Sequence, residues 1–258
     1  MAHLRLLSTD FDGTLIAHPS NGRCTRAFAD VLTSHREAGG LWAVNTGRGL
    51  EHAIEGVGIF SAPHEPDFLL TNEREIFLRT GEGTWEPDRR WNDQCVERHQ
   101  ELFSRAGEVF SRITELATHS PDVTLIHENG VLVGLLTTSE LVMEEVAEFI
   151  GREALHFPEF SFQRNTVYMR FCHRDYHKGA ALGGLCSRLS ITRDEVFAAG
   201  DHFNDLSMLD GKYAAFPCCP SNAIPEVKAV VLGAGGYVAS LPAADGIAEA
   251  WNFFTNLP

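Results

Sequence analysis

The 258-residue chain has few basic residues for its size, and this shortage limits its partners. It holds 21 Lys and Arg against 35 Asp and Glu, a formal net charge of -14. A surface this acidic disfavours nucleic acid and anionic membranes as main partners, because both repel negative charge. It still permits a small anionic ligand, since a metal ion or a few local cations can reverse the sign of the charge within a cleft.

The sequence also lacks the patterns of membrane and disulfide proteins. No apolar run approaches the roughly 18 residues of a membrane span, and Asp10 interrupts the first segment before a signal-peptide core of useful length. We therefore expect no leader, no membrane partner and a cytoplasmic location. The six cysteines include no C-x-x-C pair, so we expect reduced thiols rather than a disulfide framework.

Twelve histidines raise the question of a zinc site, but the usual ligand spacing is missing. There is no H-E-x-x-H motif, and His173 and His177, four residues apart, have no evident third ligand nearby. We therefore expect no structural zinc.

Continuous apolar runs separated by helical patterns predict an α/β core built on a parallel sheet. Leu4 to Thr9 and Leu41 to Val44 are typical of buried strands, and a helix capped by Thr25 is predicted between them. The same alternation returns in the last third of the chain. There it predicts a strand at Val196 to Gly200 and a last short strand at Val230 to Leu232.

The middle of the chain has a different pattern, typical of a small α+β domain. One helical stretch is predicted over Asn92 to Leu116, followed by a hairpin around the dipeptide Asn129-Gly130. A second helix and a hairpin turning near Asn165 follow. The order α-β-β-α-β-β predicts an antiparallel sheet with two helices on one face.

Four polar motifs follow the predicted core strands or begin the helix after them. They are Asp10 and Asp12 in DFDGTL, Thr46 and Gly47 in VNTGRG, Lys178 in HKGAAL, and Asp201, Asn204 and Asp205 in GDHFNDLSML. Open α/β sheets bind ligands at the carboxyl ends of their strands. We therefore expect the four motifs to form one site.

The residue types in these motifs fit phosphoryl transfer. Adjacent carboxylates repel one another, and a divalent cation such as Mg²⁺ would offset that repulsion through oxygen ligands. An ionised aspartate can attack phosphorus, and a second carboxyl group can transfer the proton of the leaving group. Lys178, Thr46 and Asn204, with backbone N–H groups at helix starts, can bind phosphate oxygens. Each motif alone could be a helix-initiating turn, a capping residue or a solvated lysine, but four in this order favour a site.

In this order the motifs resemble D-x-D-G-T-L, T-G-R, K-G-x-x-L and G-D-x-x-N-D of the haloacid dehalogenase-like hydrolase superfamily. The resemblance implies that Asp10 is the nucleophile and Asp12 the general acid/base. The presence of the second aspartate favours a phosphatase or phosphomutase over a dehalogenase. The phosphate contacts that the resemblance implies are Thr46, with Gly47 beside it, Lys178 and Asn204. The implied Mg²⁺ ligands are Asp10, the backbone oxygen of Asp12, Asp201 and, close behind, Asp205.

One turn departs from the pattern of that superfamily. Many relatives have a glycine-containing turn, such as N-G or V-G-T, at the position of Thr71 to Ile76. This chain has Glu73 and Arg74 there.

The middle segment resembles the type-IIB cap of the Cof-like sugar phosphatases and the sucrose-phosphate phosphatase-like group. The resemblance implies a Rossmann-like parallel-sheet core, residues 1–88 and 174–258, with an α+β cap inserted at 89–173. Strand alternation places Gln163, Tyr168 and Arg170 on the face of the cap sheet opposite its apolar residues. That face either determines substrate specificity or is an ordinary solvated face.

The expected function is a Mg²⁺-dependent phosphatase that hydrolyses a small phosphorylated metabolite, a sugar phosphate, through an aspartyl-phosphate intermediate. Two alternatives stay open at this point. One is a phosphohexomutase of the same fold, and the other is a binding or regulatory protein that keeps the fold without turnover. The sequence leaves the oligomeric state and the identity of the substrate open.

Overall fold

The computed structural model describes residues 4–17, 22–81 and 83–256 of the chain. It divides into two compact units, the first formed by Met1–Asn92 with Lys178–Pro258 and the second by Asp93–His177. The chain thus passes between the units after Asn92 and after His177, whereas the boundaries expected from the sequence lie after residues 88 and 173. That the second unit is a cap governing specificity remains a prediction.

The first unit is built on a sheet of eight strands in the order β12-β11-β10-β1-β2-β3-β4-β5. The strands are β1 (Leu6–Thr9), β2 (Leu41–Asn45), β3 (Phe68–Thr71), β4 (Glu75–Arg79), β5 (Trp85–Pro87), β10 (Val196–Ala199), β11 (Phe216–Cys219) and β12 (Tyr237–Val238). Neighbours from β12 to β3 pair in parallel, and β4 and β5 pair antiparallel at one end. The parallel-sheet α/β core predicted from the apolar runs is therefore confirmed.

Helices cover both faces of this sheet, which explains why its central strands are apolar throughout. They are α1 (Arg26–Glu37), α2 (Leu50–Phe60), α6 (Lys178–Leu189), α7 (Leu206–Leu209), α8 (Pro225–Gly233) and α9 (Ala243–Thr255). Side chains of α1, α2 and α9 pack in one buried cluster, and those of α6, α7 and α8 in another. All four residues of β1 are buried between these layers.

The helix α1 begins after Thr25, where its capping residue and the spacing of its apolar residues predict it. The Thr25 hydroxyl accepts the backbone N–H of Phe28 and caps α1, as predicted. Phe28, Val31 and Leu32 recur at helical spacing, and all three are buried against the sheet. The helix ends at a cap residue followed by Gly39, whose φ of 81° lies in the left-handed region.

The second unit is a four-stranded antiparallel sheet in the order β6-β7-β9-β8 with helices on one face. Its elements are α3 (Arg89–Arg105), which begins before the crossing, α4 (Gly107–His119), β6 (Val123–Glu128), β7 (Val131–Thr137), α5 (Glu140–Ala154), β8 (Phe160–Arg164) and β9 (Tyr168–His173). Asn129 and Gly130 both have positive φ in the two-residue turn between β6 and β7, as their sequence predicts.

Two sequence-based predictions about single elements were wrong. The helical stretch expected over Asn92 to Leu116 is two helices, because the backbone breaks at the buried Ala106, just before Gly107. The strand expected at Val230 to Leu232 is the end of α8. That helix begins at Pro225 and buries Val227 and Val231 on one face, four residues apart.

Two further observations concern disulfide bonds and membrane-spanning helices, neither of which the sequence predicts. All six cysteines are free thiols, in agreement with the expectation of reduced cysteines. Within the described ranges, the helices are all too short or too polar to span a bilayer.

Candidate active site

The predicted motif residues follow three neighbouring parallel strands, at the edge where all three end. Asp10 comes directly after β1, Thr46 directly after β2, and Asp201 shortly after β10. The registers pair β1 with β2 on one side and β10 on the other. The expectation that these motifs converge at the carboxyl edge of the sheet is thus met within the first unit.

Lys178 lies at the centre of the site and joins two of the aspartates. Its Nζ donates to Asp10 Oδ1 at 2.6 Å and to Asp205 Oδ1 at 2.7 Å. The lysine is fully buried, at 0% exposure. Although burial opposes a charge on Lys178, the carboxylates of Asp10 and Asp205 raise the pKa of Lys178, so it stays cationic.

Lys178 reaches this position because α6 begins there. The amide of Asn45, the last residue of β2, donates to the Lys178 carbonyl at 3.0 Å. Gly179 lets the start of α6 approach α7 closely, since a Cβ at Gly179 would collide with the backbone of Ser207. The K-G pair of the motif therefore supplies both a charge and the close contact that places it.

Asp201 lies beside the loop that follows β1. The Thr14 hydroxyl donates to Asp201 Oδ1 at 2.6 Å, and Gly13 has a φ of 85°. A Cβ at Gly13 would overlap the Asp201 carboxylate, so both the turn and the close approach require glycine. Burial first, and then the charge of Asp205, raise the pKa of Asp201 to about 7.

Asp205 is the third buried aspartate of the site, and protein groups donate to both of its carboxylate oxygens. Its Oδ2 accepts the backbone N–H groups of Asp201 at 2.9 Å and His202 at 3.0 Å, while its Oδ1 accepts from Lys178. It therefore fixes both the loop after β10 and the lysine. Carboxylate oxygens of Asp10, Asp201 and Asp205 all lie within 4.8 Å of one another.

Asp12 is not one of these three carboxylates, and its side chain is bonded to Arg48. Arg48 Nε donates to Asp12 Oδ2 at 2.7 Å, and Arg48 Nη2 donates to Asp12 Oδ1 at 2.6 Å. Two parallel bonds of this kind fix both the position and the plane of a carboxylate. Whether the backbone oxygen of Asp12 binds a metal remains a prediction.

Thr46 and Asn204, the polar side chains predicted to bind phosphate, are both buried at this edge. The Thr46 hydroxyl accepts the backbone N–H of Arg48 at 3.2 Å. The Asn204 amide nitrogen donates to Glu73 Oε1 at 2.9 Å. The roles of Thr46, Gly47, Lys178 and Asn204 on phosphate remain predictions.

Gln163, Tyr168 and Arg170 belong to the second unit and share one face of its sheet. Gln163 lies opposite Arg170 in the β8–β9 register, and Arg170 Nε donates to the Tyr168 hydroxyl at 3.0 Å. The opposite face carries Phe160, Met169 and Phe171 in the buried core of that unit. The predicted alternation is therefore present, while the role of the polar face remains a prediction.

Sequence reasoning assigned no role to three residues that the structure brings to the site. Arg48 ends the T-G-R motif and binds Asp12, Thr14 lies within D-G-T-L and binds Asp201, and Glu73 binds Asn204. The signal for the first two was their place inside the motifs. Glu73 departs from the glycine-containing turn of that superfamily, but chain order alone does not predict its contact with Asn204.

Comparisons with known proteins agree with this fold. The sucrose-phosphatase of Synechocystis sp. PCC6803, solved with sucrose and phosphate, is 20% identical with a TM-score of 0.72 and covers 100% of both chains. A subclass IIB sugar phosphatase of the haloacid dehalogenase superfamily is 17% identical with a TM-score of 0.65, covering 98% of this chain and 100% of that one. These similarities show the fold. Together with the four motifs, a family model that matches almost the whole chain identifies it as a member of the haloacid dehalogenase-like superfamily.

The family within that class follows from the sequence. The family model for sucrose-6F-phosphate phosphohydrolase matches residues 3–255, and the chain belongs to this family. A further relative, the glucosylglycerol-phosphate synthase of Pseudomonas anguilliseptica, is 26% identical over 209 residues, or 81% of this chain. The match covers only 25% of that relative's length.

Proposed function

We propose that this phosphatase is Mg²⁺-dependent and removes phosphate from a phosphorylated glycoside, with Asp10 as the nucleophile. The observation that carries the proposal is the buried contact between Lys178 and Asp10 at the carboxyl edge of the sheet, 2.6 Å long. Because Lys178 binds one oxygen of Asp10, the other oxygen can face an incoming phosphorus. The charge of the lysine also attracts the phosphate. The description of the family and the name of one relative refer to sucrose 6F-phosphate and glucosylglycerol phosphate, and they support a sugar joined to a phosphorylated partner as substrate.

The residues present fit a magnesium ion. Asp10, Asp201 and Asp205 are buried, supply only oxygen ligands and approach one another within 4.8 Å. Burial and the neighbouring carboxylates Asp205 and Asp201 raise the pKa of Asp10 despite the opposing effect of Lys178. Buried carboxylates with raised pKa values, here Asp10 and Asp201, favour a cation that restores their charge. Because both Asp205 oxygens already accept from protein donors, Asp10 and Asp201 are the better candidates for direct ligands.

The reaction follows from the positions of the two aspartates in D-F-D. Asp10 attacks phosphorus, so that an Asp10–phosphorus bond forms while the bond from phosphorus to the ester oxygen breaks. Asp12 gives its proton to the departing oxygen. Water then attacks the same phosphorus, Asp12 takes a proton from that water, and Asp10 leaves as a free carboxylate with inorganic phosphate. Bound Mg²⁺ would supply positive charge to the phosphate oxygens.

Arg48 and the phosphate-binding residues prepare these steps. The Arg48 guanidinium orients the Asp12 carboxylate. A proton on one Asp12 oxygen would weaken the bond of that oxygen to Arg48, while the other bond keeps the group in place. Lys178 and the amide of Asn204 contribute positive charge and N–H donors at the same edge. The Thr46 hydroxyl and the backbone N–H of Gly47, both shortly after β2, are the further expected contacts.

The test is release of inorganic phosphate from sucrose 6F-phosphate, glucosylglycerol phosphate, hexose phosphates, nucleotides and small-acid phosphates. Each is measured with Mg²⁺ and with a chelator. The expected result is metal-dependent release, fastest with the two glycoside phosphates. Transfer of phosphate between two positions of a hexose, without release, would instead support the mutase.

Matched variants link this activity to the site. Asp10→Asn is expected to remove turnover while the circular dichroism spectrum stays unchanged. Asp30→Asn makes the same substitution at an exposed position of α1 and is expected to keep full activity. Turnover retained by Asp10→Asn would refute the assignment of the nucleophile. No release from any substrate by the folded wild-type protein would refute the proposed function.

A further inference from the structure

The turn between β3 and β4 holds a glutamate in a backbone conformation that suits glycine. The Arg74 N–H donates to the Thr71 carbonyl at 3.0 Å, with φ of 49° at Asn72 and 65° at Glu73. Two successive positive φ values define a type I′ turn, for which Asn-Gly is the preferred pair. A glutamate at the second position is strained, because its Cβ crowds the backbone there. Strain of this kind is concentrated at functional sites, so the environment of the Glu73 side chain is informative.

The side chain of Glu73 lies among the residues that we assign to phosphate binding. It is buried, with 5% exposure, and its Oε1 accepts from Asn204 Nδ2 at 2.9 Å. Its backbone N–H donates to the Thr46 carbonyl at 3.1 Å. A Cβ placed on Gly47 would lie 3.2 Å from Glu73 Oε1, so the carboxylate also borders the loop after β2.

Resting on the proposed function, we infer that Glu73 is an internal competitor for the phosphate pocket that weakens the binding of inorganic phosphate. Its carboxylate bonds the Asn204 amide and brings a negative charge to the place where a phosphate oxygen would accept. Inorganic phosphate depends on these contacts alone, whereas a substrate gains further contacts through its sugar. The competition therefore acts most on the product, and it favours product release over product inhibition.

The electrostatic setting agrees with this role. Although burial opposes the charge of Lys178, the carboxylates of Asp10, Asp205 and Glu73 raise the pKa of that lysine. Glu73 is therefore close enough to Lys178 for its negative charge to offset part of the positive charge that would attract a phosphate. Without the Glu73 carboxylate, Lys178 would attract a bound anion more strongly.

Two variants separate the charge of Glu73 from its hydrogen bond. Glu73→Gln keeps an oxygen that can accept from Asn204 and removes the charge, whereas Glu73→Gly removes both and suits the type I′ turn. Glu51→Gln makes the same change of charge at an exposed position in the first turn of α2. Inorganic phosphate is titrated into each protein by calorimetry with Mg²⁺ present, and orthovanadate is tested as a second probe.

Both Glu73 variants are expected to bind inorganic phosphate about tenfold more tightly than wild type, while Glu51→Gln is unchanged. Unchanged or weaker phosphate binding in Glu73→Gln would overturn the inference. Weaker binding in Glu73→Gly alone would mean that Glu73 orients Asn204 rather than competing with phosphate. Calorimetry needs no turnover, so failure of the proposed function would be seen separately, as absent hydrolysis by the wild type.

Discussion

Arg48 and Asp12 form a fork, in which two guanidinium nitrogens donate to the two carboxylate oxygens at 2.7 and 2.6 Å. The guanidinium also lies over the Phe11 ring, 4.8 Å from its centroid. The bond to Asp12 raises the pKa of Arg48 and outweighs the opposing effect of partial burial. Arg48 therefore stays charged. Asp12, in the D-F-D motif after β1, is thus oriented by Arg48, in the T-G-R motif after β2.

The first prediction concerns this fork. Arg48→Lys keeps the charge but loses the planar pair of donors, so Asp12 is expected to be less well oriented for proton transfer. We expect kcat to fall by about tenfold to a hundredfold, up to the lower end of the roughly 10²–10⁴-fold that general acid/base catalysis contributes, with KM little changed. Steady-state kinetics on the best substrate of the panel provide the measurement.

Arg26→Lys is the matched control for the Arg48 variant. Its side chain is 94% exposed on α1, where it pairs only loosely with Asp30, at 4.0 Å. We expect its kinetics to equal those of the wild type. A normal kcat in Arg48→Lys would show that Asp12 needs no guanidinium to orient it.

The second prediction concerns the link between Mg²⁺ and stability. A ligand that binds only the folded chain adds about 2.7 kcal/mol at a hundred times its dissociation constant. Mg²⁺ is therefore expected to raise the Tm of the wild type, and Asp201→Asn to abolish most of that rise. Without metal, Asp201→Asn is expected to be at least as stable as the wild type, since it removes a buried charge that repels Asp205.

Differential scanning calorimetry with Mg²⁺ and with a chelator measures both effects. Asp30→Asn serves again as the exposed control and is expected to keep the full response to metal. If Asp201→Asn responds to Mg²⁺ as the wild type does, Asp201 is not a ligand.

The parts of the site that sequence could predict are those that topology alone brings together. Parallel strands end at a common edge, so motifs after β1, β2 and β10 had to converge there, and Lys178 follows from its place at the start of α6. Glu73 could not be assigned in this way. Its contact with Asn204 depends on a strained turn between antiparallel strands, and a side chain's direction in such a turn is not encoded in residue spacing.

The elements that sequence reasoning missed are short and ambiguous. β11 is a four-residue strand containing Pro217, which lowers strand propensity, and it was not predicted. Val230 to Leu232 were predicted as a strand because β-branched runs favour strands, yet the buried pair Val227 and Val231 makes that segment helical. Tertiary burial decides such cases, and a short apolar run does not contain that information.

The third prediction concerns the polar face of the second unit. The Arg170 side chain is 13% exposed and donates to the Tyr168 hydroxyl and to Glu128. If this face recognises the sugar, Arg170→Ala is expected to change the order of kcat/KM values across the substrate panel. The inhibition constant of inorganic phosphate is expected to stay the same, because the proposed phosphate contacts belong to the first unit.

Arg164→Ala is the control within the same sheet. Arg164 pairs with Met169 in the register and with Glu144 of α5, so it lies on the helix-covered face. We expect this variant to keep the wild-type substrate order. An unchanged order in Arg170→Ala would leave the polar face of this unit as a solvated surface.

The fourth prediction concerns acid sensitivity and His35. The ring is buried, bonds the Leu41 carbonyl at 3.0 Å through Nε2 and packs edge-on against Trp251. Burial lowers the pKa of His35 below its ordinary value of 6.5, against the opposing effect of the Leu41 bond. As pH falls through 6.5, the unfolded chain therefore takes up a proton that the folded chain does not. The free energy of unfolding should decrease in that window, and be insensitive to His35 well above it.

His35→Gln retains an N–H donor for Leu41 and has no group that titrates in this range. We expect it to be less stable than the wild type at pH 7.5, because the ring contact with Trp251 is lost. Its loss of stability between pH 7.5 and 5.5 should nevertheless be smaller than that of the wild type. Urea unfolding at both pH values measures this difference, with the exposed His52→Gln as control. Equal losses in wild type and His35→Gln would show that the acid sensitivity arises from other groups, since only a buried neutral histidine predicts the smaller loss.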